Sequence, residues 1–216
     1  MKNKLIATLV AAGLMLSAGS VFASADAANG ESIAGAKCAA CHGSDGNSPS
    51  PMFPKIAGLG AKYTLKQLVD IKSGERAIPE MDGLLDDLSD PDLQDLAAYF
   101  ASKDMQLTGA TDTELMLNSG VKVSSLELGE QVYRAGNAEV GVPACSGCHS
   151  PRGQGNAPAG YPRVSGQYAE YIEKQLQAFR LGTRANDGDT AVMRSVAEHM
   201  SDAEIKAVAS YISGLN

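Results

Sequence analysis

Cys38-Ala39-Ala40-Cys41-His42 and Cys145-Ser146-Gly147-Cys148-His149 are two copies of one pattern, Cys-x-x-Cys-His. Together they contain all four cysteines and two of the three histidines of the chain. With two residues between the cysteines, one helical turn presents both sulfurs on the same side, where each can form a thioether to a haem vinyl group. The adjacent histidine can then point its imidazole at the iron. The pattern is therefore typical of covalent haem c attachment at Cys38, Cys41, Cys145 and Cys148, with His42 and His149 as iron ligands.

The same pattern is compatible with three other functions of these cysteines and histidines: a zinc site, a redox-active cysteine pair or structural disulfides. A structural zinc site needs two cysteine pairs that converge on one metal, whereas these pairs lie 107 residues apart and each has its own histidine. A thioredoxin-like redox pair does not explain why the histidine recurs. Two structural disulfides are compatible with an oxidising compartment. Haem attachment is favoured because it accounts for both cysteines and the histidine in both copies.

Residues 1–23 have the pattern of a cleaved signal peptide. Lys2 and Lys4 precede a short apolar stretch, Leu5 to Leu16, and small residues around Ala23 offer cleavage sites. The apolar stretch is too short for a membrane span of about 20 residues, and no second long one follows. We therefore expect an exported, periplasmic protein with no transmembrane segment in its mature chain.

Cleavage would remove two lysines and no acid, which moves the formal net charge from −7 to −9. Nucleic acid is excluded as a partner, because its phosphates require basic patches. Partners with a basic face are favoured, and their encounter rate with this chain should fall as salt rises.

An internal repeat divides the chain into two domains. Residues 53–76 and 161–184 align without a gap at an offset of 108, with nine identical positions of 24, and the haem motifs recur at an offset of 107. A duplicated domain explains such similar offsets. The expected boundaries are 24–108 for an N-terminal cytochrome c domain, 109–123 for a linker and 124–216 for a C-terminal cytochrome c domain.

Both domains are predicted to be helical. Ser89 and Ser201 each precede an acid at the third helical position, which is a capping box, and apolar residues follow at helical spacing. No strand pattern is convincing. The predicted fold class is all-α: two tandem domains, each a small helical bundle around a covalently bound haem.

The second axial position of each iron is assigned by the repeat. Only His199 remains for two irons, so methionine is the natural alternative. Met81 and Met193 each lie eight residues before a capping serine, and no other methionine recurs at matching positions. We predict that both are iron ligands delivered by a loop ahead of the last helix. Four extra residues lengthen the second loop, and the remaining methionines of the mature chain, Met52, Met105, Met116 and Met200, are expected to fill the core.

Two further pairs recur in the repeat. Pro54 and Pro162 follow the histidines by 12 and 13 residues, so each carbonyl could accept a hydrogen bond from a histidine Nδ1, or each proline could simply form a turn. Arg76 and Arg184 could pair with haem propionates or be ordinary surface residues.

The chain resembles the di-haem class I cytochromes c of the cytochrome c4 family over essentially all of its mature length. The resemblance rests on the two haem motifs, the Pro-x-x-x-Gly steps at 54–58 and 162–166, the methionines at 81 and 193 and the helix starts at 88–90 and 200–202. One departure is Ser150, where the first motif has Gly43. The family implies two haems that face each other across a pseudo-two-fold interface, and a periplasmic carrier that often feeds a haem-copper terminal oxidase.

The predicted function is one-electron transfer in a respiratory chain with no enzymatic activity. A quinol-oxidising complex or a dehydrogenase would be the donor, and a haem-copper terminal oxidase the acceptor. The alternative is an electron-accepting cytochrome subunit of a periplasmic dehydrogenase. A small haem enzyme is a third class, but it needs an open or labile iron or a distal Cys or His ligand, and no fifth cysteine exists.

Overall fold

The computed structural model describes residues 25–216, which form a helical protein with two similar halves. The signal peptide predicted for residues 1–23 lies outside the described residues. The N-terminal half, residues 25–108, contains α1 (Ala27–Lys37), α2 (Ala39–His42), α3 (Ala61–Lys72), a 3-10 turn (Pro79–Met81) and α4 (Asp90–Ala101). The C-terminal half, residues 109–216, contains strands β1 (Glu114–Met116) and β2 (Lys122–Ser124), followed by α5 (Ser125–Ala135), α6 (Ser146–His149), α7 (Ala169–Arg180), α8 (Val192–Ala197) and α9 (Asp202–Gly214).

The first and last long helices of each half cross closely. Helix α1 packs on α4 and α5 packs on α9, and a glycine stands at each crossing. A Cβ on Gly30 would lie 2.2 Å from the Asp95 carbonyl oxygen, and one on Gly129 would lie 2.3 Å from that of Ala207. Helices α3 and α7 pack against the same last helices, so both halves have one architecture.

Each half has its own apolar core. The N-terminal core includes Leu93, Leu96 and Phe100 of α4, and the C-terminal core includes Ile205 and Val208 of α9. These residues lie at the spacing that the sequence predicts for the last helices, and both predicted capping boxes, at Ser89 and Ser201, are formed. The all-α prediction is confirmed.

The segment predicted as a linker is more ordered than its composition indicates. Strands β1 and β2 pair antiparallel, with Leu115 opposite Val123, although the pattern predicts no strand. Before them, the Gly109 N–H donates to the Ser213 carbonyl oxygen over 3.1 Å, and the Ser210 hydroxyl donates to the Thr111 carbonyl oxygen over 2.6 Å. This segment therefore lies along α9.

Two of the methionines expected in the core are on the surface. Met105 and Met200 are buried, as predicted, but Met52 and Met116 are 79% and 58% exposed. The prediction is wrong for these two because Met52 lies in the turn that precedes Phe53 and Met116 lies in the exposed β-hairpin. No helix among the described residues is long and apolar enough to cross a membrane.

Candidate functional site

Each haem motif forms the short helix that its spacing predicts. In the N-terminal half α2 begins after Cys38 and ends at His42, and in the C-terminal half α6 begins after Cys145 and ends at His149. Cys38 packs against the N-terminal core and Cys145 against the C-terminal core. One helical turn therefore carries both sulfurs and the imidazole in each half.

The backbone fixes the tautomer of both histidines. His42 Nδ1 lies 2.8 Å from the Pro54 carbonyl oxygen, and His149 Nδ1 lies 2.9 Å from that of Pro162. Because a carbonyl oxygen only accepts, each Nδ1 must carry the proton, which leaves the Nε2 lone pair for a metal. The proline carbonyls thus accept the hydrogen bonds, and the simple-turn interpretation is insufficient.

Burial keeps both imidazoles neutral. Desolvation lowers the pKa of His42 and of His149 below the ordinary value of 6.5, and the hydrogen bonds to the proline carbonyls oppose this only in part. A neutral imidazole is the form that binds iron. An aromatic ring also stands edge-on to each histidine: Phe53 at 6.3 Å from the His42 ring centre and Tyr161 at 6.4 Å from that of His149. These two aromatic residues occupy the same position of the repeat, but no sequence pattern predicts that they contact the histidine rings.

The environment of the cysteines disfavours the other interpretations of the motif. No disulfide joins any of the four cysteines, all of which lie within residues 25–216. Burial raises the pKa of Cys38 to about 11 and that of Cys145 to about 11, whereas a thioredoxin-like thiol needs a lowered pKa. Among residues 25–216, no three His, Cys, Asp or Glu side chains cluster as a zinc site requires.

The residues around each motif suit a covalently bound porphyrin. Half-buried apolar side chains pack on the N-terminal core together with Cys38: Ile33, Ile56, Leu65, Leu68, Ile71 and Met81. A corresponding set packs on the C-terminal core together with Cys145: Leu128, Val164, Ile172, Leu176 and Tyr211. Apolar surface of this kind, together with a free imidazole Nε2 and two thiols on one turn, is what a haem c group requires.

The two predicted methionine ligands lie in different local structures. Met81 is the last residue of the 3-10 turn and packs on the N-terminal core, as Cys38 does. Met193 lies in α8, a short helix that begins after Ala191 in a left-handed conformation with φ 47°, instead of in an open loop. Met193 is half-buried but is not among the described side chains that pack on the C-terminal core. Met81 and Cys38 thus share one core, a relation that Met193 and Cys145 do not have.

The two arginines of the repeat connect the halves. Arg76 donates to Tyr171 Oη over 3.0 Å, and Arg184 donates to Tyr63 Oη over 3.2 Å. Both guanidinium groups also donate to two glutamines, Gln67 from one half and Gln175 from the other. Arg76 donates over 2.7 Å to Gln67 and 3.3 Å to Gln175, and Arg184 donates over 2.6 Å to Gln175 and 3.1 Å to Gln67. Neither arginine is an ordinary surface residue, and together they form a pseudo-symmetric polar network.

Comparison with known proteins identifies the family. Residues 126–216 match the family model for cytochrome c, and residues 25–100 match that for subunit III of the cbb3-type cytochrome c oxidase. Cytochrome c4 of Pseudomonas aeruginosa is 50% identical to this chain over the full length of both. This chain is a member of the cytochrome c4 family. As such it carries two covalently bound haem c groups and is an electron carrier.

Other relatives agree with this assignment. The crystal structure of reduced recombinant cytochrome c4 from Pseudomonas stutzeri matches with a TM-score of 0.81 and 46% identity, over 89% of this chain and 100% of that chain. A thiosulfate dehydrogenase electron acceptor from Stutzerimonas stutzeri is 35% identical, over 88% of each protein. The relatives of this chain thus include both cytochromes c4 and a thiosulfate dehydrogenase electron acceptor.

Proposed function

We propose that this member of the cytochrome c4 family is a periplasmic one-electron carrier of a respiratory chain that delivers electrons to a haem-copper terminal oxidase. A quinol-oxidising complex or a dehydrogenase would reduce it. The observation that carries the proposal is the neutral histidine of each motif, which is held by a proline carbonyl so that only Nε2 faces the iron site. A ligand so constrained keeps its place in both redox states, which suits electron transfer.

The proposed ligand sets are His42 with Met81 and His149 with Met193. Cys38 and Cys41 would hold the first haem, and Cys145 and Cys148 the second. Bound iron supplies a one-electron ferric–ferrous couple, and the protein orients the imidazoles, excludes water and surrounds the porphyrin with apolar side chains. With both axial positions filled there is no open site for a substrate, so we propose that the chain is no enzyme.

The carrier would consist of two units, residues 24–108 and 124–216, joined by residues 109–123. The internal repeat and the two separate apolar cores support this division. Export through the signal peptide proposed for residues 1–23 would place the protein in the periplasm, where haem c is attached.

Stopped-flow kinetics with purified partners test the function. The reduced di-haem protein should transfer electrons to a haem-copper oxidase in many turnovers, and the second-order rate should fall as salt rises, because an acidic carrier meets a basic docking face. A protein that is oxidised no faster than an unrelated acidic cytochrome would contradict the proposal.

A second candidate is the electron acceptor of a periplasmic dehydrogenase. The 35% identity to a thiosulfate dehydrogenase electron acceptor over 88% of each protein favours it. The same stopped-flow experiment separates the two, with purified thiosulfate dehydrogenase and thiosulfate as the reducing partner. Rapid reduction by that enzyme together with slow oxidation by the oxidase would favour the second candidate.

A further inference from the structure

The peptide group between Pro54 and Lys55 is hydrogen-bonded at both ends. Its carbonyl oxygen, that of Pro54, accepts from His42 Nδ1 over 2.8 Å. Its N–H, that of Lys55, donates over 3.0 Å to Gln167 Oε1, which belongs to the other half of the molecule. Gln167 Nε2 donates back to the Lys55 carbonyl oxygen over 2.7 Å. A continuous chain of hydrogen bonds therefore runs from a side chain of the C-terminal half to the imidazole of the N-terminal motif.

The hydrogen bonds that link Gln167 to His42 are shielded from water. Lys55 is 5% exposed and Gln167 is 3% exposed. A hydrogen bond in such an environment is stronger than in water, and successive hydrogen bonds polarise one another. Because the Lys55 N–H is bonded to Gln167, the Pro54 carbonyl oxygen carries more negative charge and accepts more strongly from His42. A stronger acceptor at Nδ1 makes the imidazole a more basic ligand, which favours ferric over ferrous iron.

The C-terminal half has no equivalent arrangement. At an offset of 108, Gln167 and Tyr168 correspond to Leu59 and Gly60. The leucine side chain has no amide group, so it can neither donate nor accept a hydrogen bond. His149 Nδ1 donates to the Pro162 carbonyl oxygen in the same way, but no acceptor for the N–H that follows, that of Arg163, is found among residues 25–216.

We propose that Gln167 is a positioning residue for the N-terminal haem, through which the C-terminal half raises the basicity of His42 and lowers that haem's reduction potential. The inference rests on the proposed role of His42 as an iron ligand. It makes one haem potential depend on contact between the halves, whereas the other depends only on its own half.

Tyr168 offers a matched control. Its hydroxyl donates to the Ser48 carbonyl oxygen over 2.6 Å, and its ring lies 5.0 Å below Lys55 Nζ. It therefore joins the same two segments as Gln167 without bonding the Pro54–Lys55 peptide. Tyr168→Phe removes one hydrogen bond between the halves and leaves the chain to His42 intact.

The test compares Gln167→Met with Tyr168→Phe and the wild-type protein. Methionine is close to glutamine in shape but cannot form either amide hydrogen bond. Both haem potentials are measured by redox titration of the purified di-haem protein, and haem content and the methionine–iron absorption band are recorded for each sample. We expect the N-terminal potential to rise in Gln167→Met, the C-terminal potential to stay, and both to stay in Tyr168→Phe.

Nuclear magnetic resonance of the ferrous protein gives a second readout that a purely structural role would not move. In the wild-type protein the His42 Nδ1–H proton should resonate further downfield than that of His149, and only the His42 resonance should move upfield in Gln167→Met. Unchanged potentials and resonances, or equal shifts in Tyr168→Phe, would overturn the inference.

These outcomes are distinct from failure of the proposed function. If the wild-type protein lacks two haems or the methionine–iron band, the ligand assignment is wrong. If Gln167→Met does not fold, the wild-type difference between His42 and His149 still decides the matter, and equal resonances would overturn the inference.

Discussion

Gly43 and Ser150 hold the same backbone conformation with different side chains. Each follows an axial histidine candidate, with φ 76° and ψ 157° at Gly43 and φ 69° and ψ 157° at Ser150. This region is essentially restricted to glycine, and a side chain there costs on the order of 1–3 kcal/mol. The departure at Ser150 is therefore a site of backbone strain.

Ser150→Gly is predicted to stabilise the C-terminal half by about 1 kcal/mol. Two effects oppose this gain: glycine raises the conformational entropy of the unfolded chain, which costs about 0.4–1 kcal/mol, and the hydrogen bond from the Gln154 N–H to Ser150 Oγ is lost. We expect the relief of backbone strain to exceed both. Denaturant unfolding of the haem-loaded protein measures the change. The matched variant Gly43→Ala should destabilise the N-terminal half, because a Cβ there would lie 2.8 Å from the Asn47 carbonyl oxygen. Equal small effects would contradict the strain argument.

At the scale of residues, the sequence predicts the arrangement of each Cys-x-x-Cys-His turn better than it predicts the groups that hydrogen-bond the histidine. Covalent spacing places both cysteines and the histidine on one turn, so that part follows from Cys-x-x-Cys-His alone. From sequence alone, each proline could either accept a hydrogen bond from the histidine or simply form a turn. Only the fold shows that the proline carbonyls, 12 and 13 residues after the histidines, contact the imidazoles. Gln167, which bonds the Lys55 peptide across 112 residues, has no local pattern that could reveal it.

At the scale of elements, the two capping boxes look alike in sequence but differ in burial. Asp92 in α4 is only half-buried, whereas Glu204 in α9 is buried and also accepts from Asn137 Nδ2 over 2.7 Å. Burial raises the pKa of Glu204, but the hydrogen bonds from Asn137 and Ser201 outweigh it and hold the pKa below the ordinary value of 4.5.

The stability of the C-terminal half should therefore depend on Glu204 in acid. A lowered folded-state pKa contributes stability that is full above the unfolded value of 4.5 and is lost as pH falls through the folded value. Glu204→Gln should lower stability at neutral pH and flatten its decline below pH 4.5. Unfolding free energies over that range measure this. Asp92→Asn, at the less buried capping box, should change stability less, and an equal change would count against the role of burial.

The helices follow from apolar periodicity, but the β-hairpin does not. Its strands have three residues each, which is too short for an alternating pattern to stand out, and Met116 faces solvent. The residues just before the hairpin bond to α9, as the Ser210 hydroxyl does to the Thr111 carbonyl oxygen. Such long-range contacts leave no local signature.

At the scale of the whole molecule, Arg76 and Arg184 act as one network. Each guanidinium group donates to both Gln67 and Gln175, so either arginine alone can satisfy both amide oxygens. The repeat identifies the arginines from sequence, but their partners in the opposite half lie 95 to 121 residues away and depend on how the halves meet.

Loss of both arginines should cost more than the sum of the single losses. In a double-mutant cycle with Arg76→Met and Arg184→Met, we expect a coupling free energy of about 0.5–3 kcal/mol, since residues that share partners are not additive. Unfolding of the four proteins supplies the cycle, and the double variant should unfold in two steps, one for each half. Arg152→Met, at an exposed arginine, is the control. Additive effects would show that the arginines act separately.

The charge of the two halves is uneven, and this predicts their order of reduction. Residues 24–108 carry a net charge of −6 and residues 109–216 carry −3. In the N-terminal half acids crowd the segment around Met81, and two acids of this half are held by polar contacts: Asp87 pairs with Lys37 at 2.8 Å, and Asp95 of α4 accepts from Asn29 Nδ2 over 2.8 Å. Nearby negative charge favours the ferric, more positive iron.

The N-terminal haem should therefore have the lower potential, a direction to which Gln167 also contributes. Redox titration of the wild-type protein measures both potentials, and Met81→Ala and Met193→Ala assign them, because each variant alters one haem. The gap should narrow as salt rises. A higher potential at the N-terminal haem would refute the charge argument.

The optical spectrum of the purified ferric protein, with haem counted per chain, tests the central claim most directly. Two haems, each held by histidine and methionine, predict two haems per chain and a weak methionine–iron band at the red end of the spectrum, with the intensity of two such irons. Met81→Ala and Met193→Ala should each remove half of that band. Two haems with the band halved or absent in the wild-type protein would contradict the claim, because one iron would then lack its methionine and have a position open to other ligands.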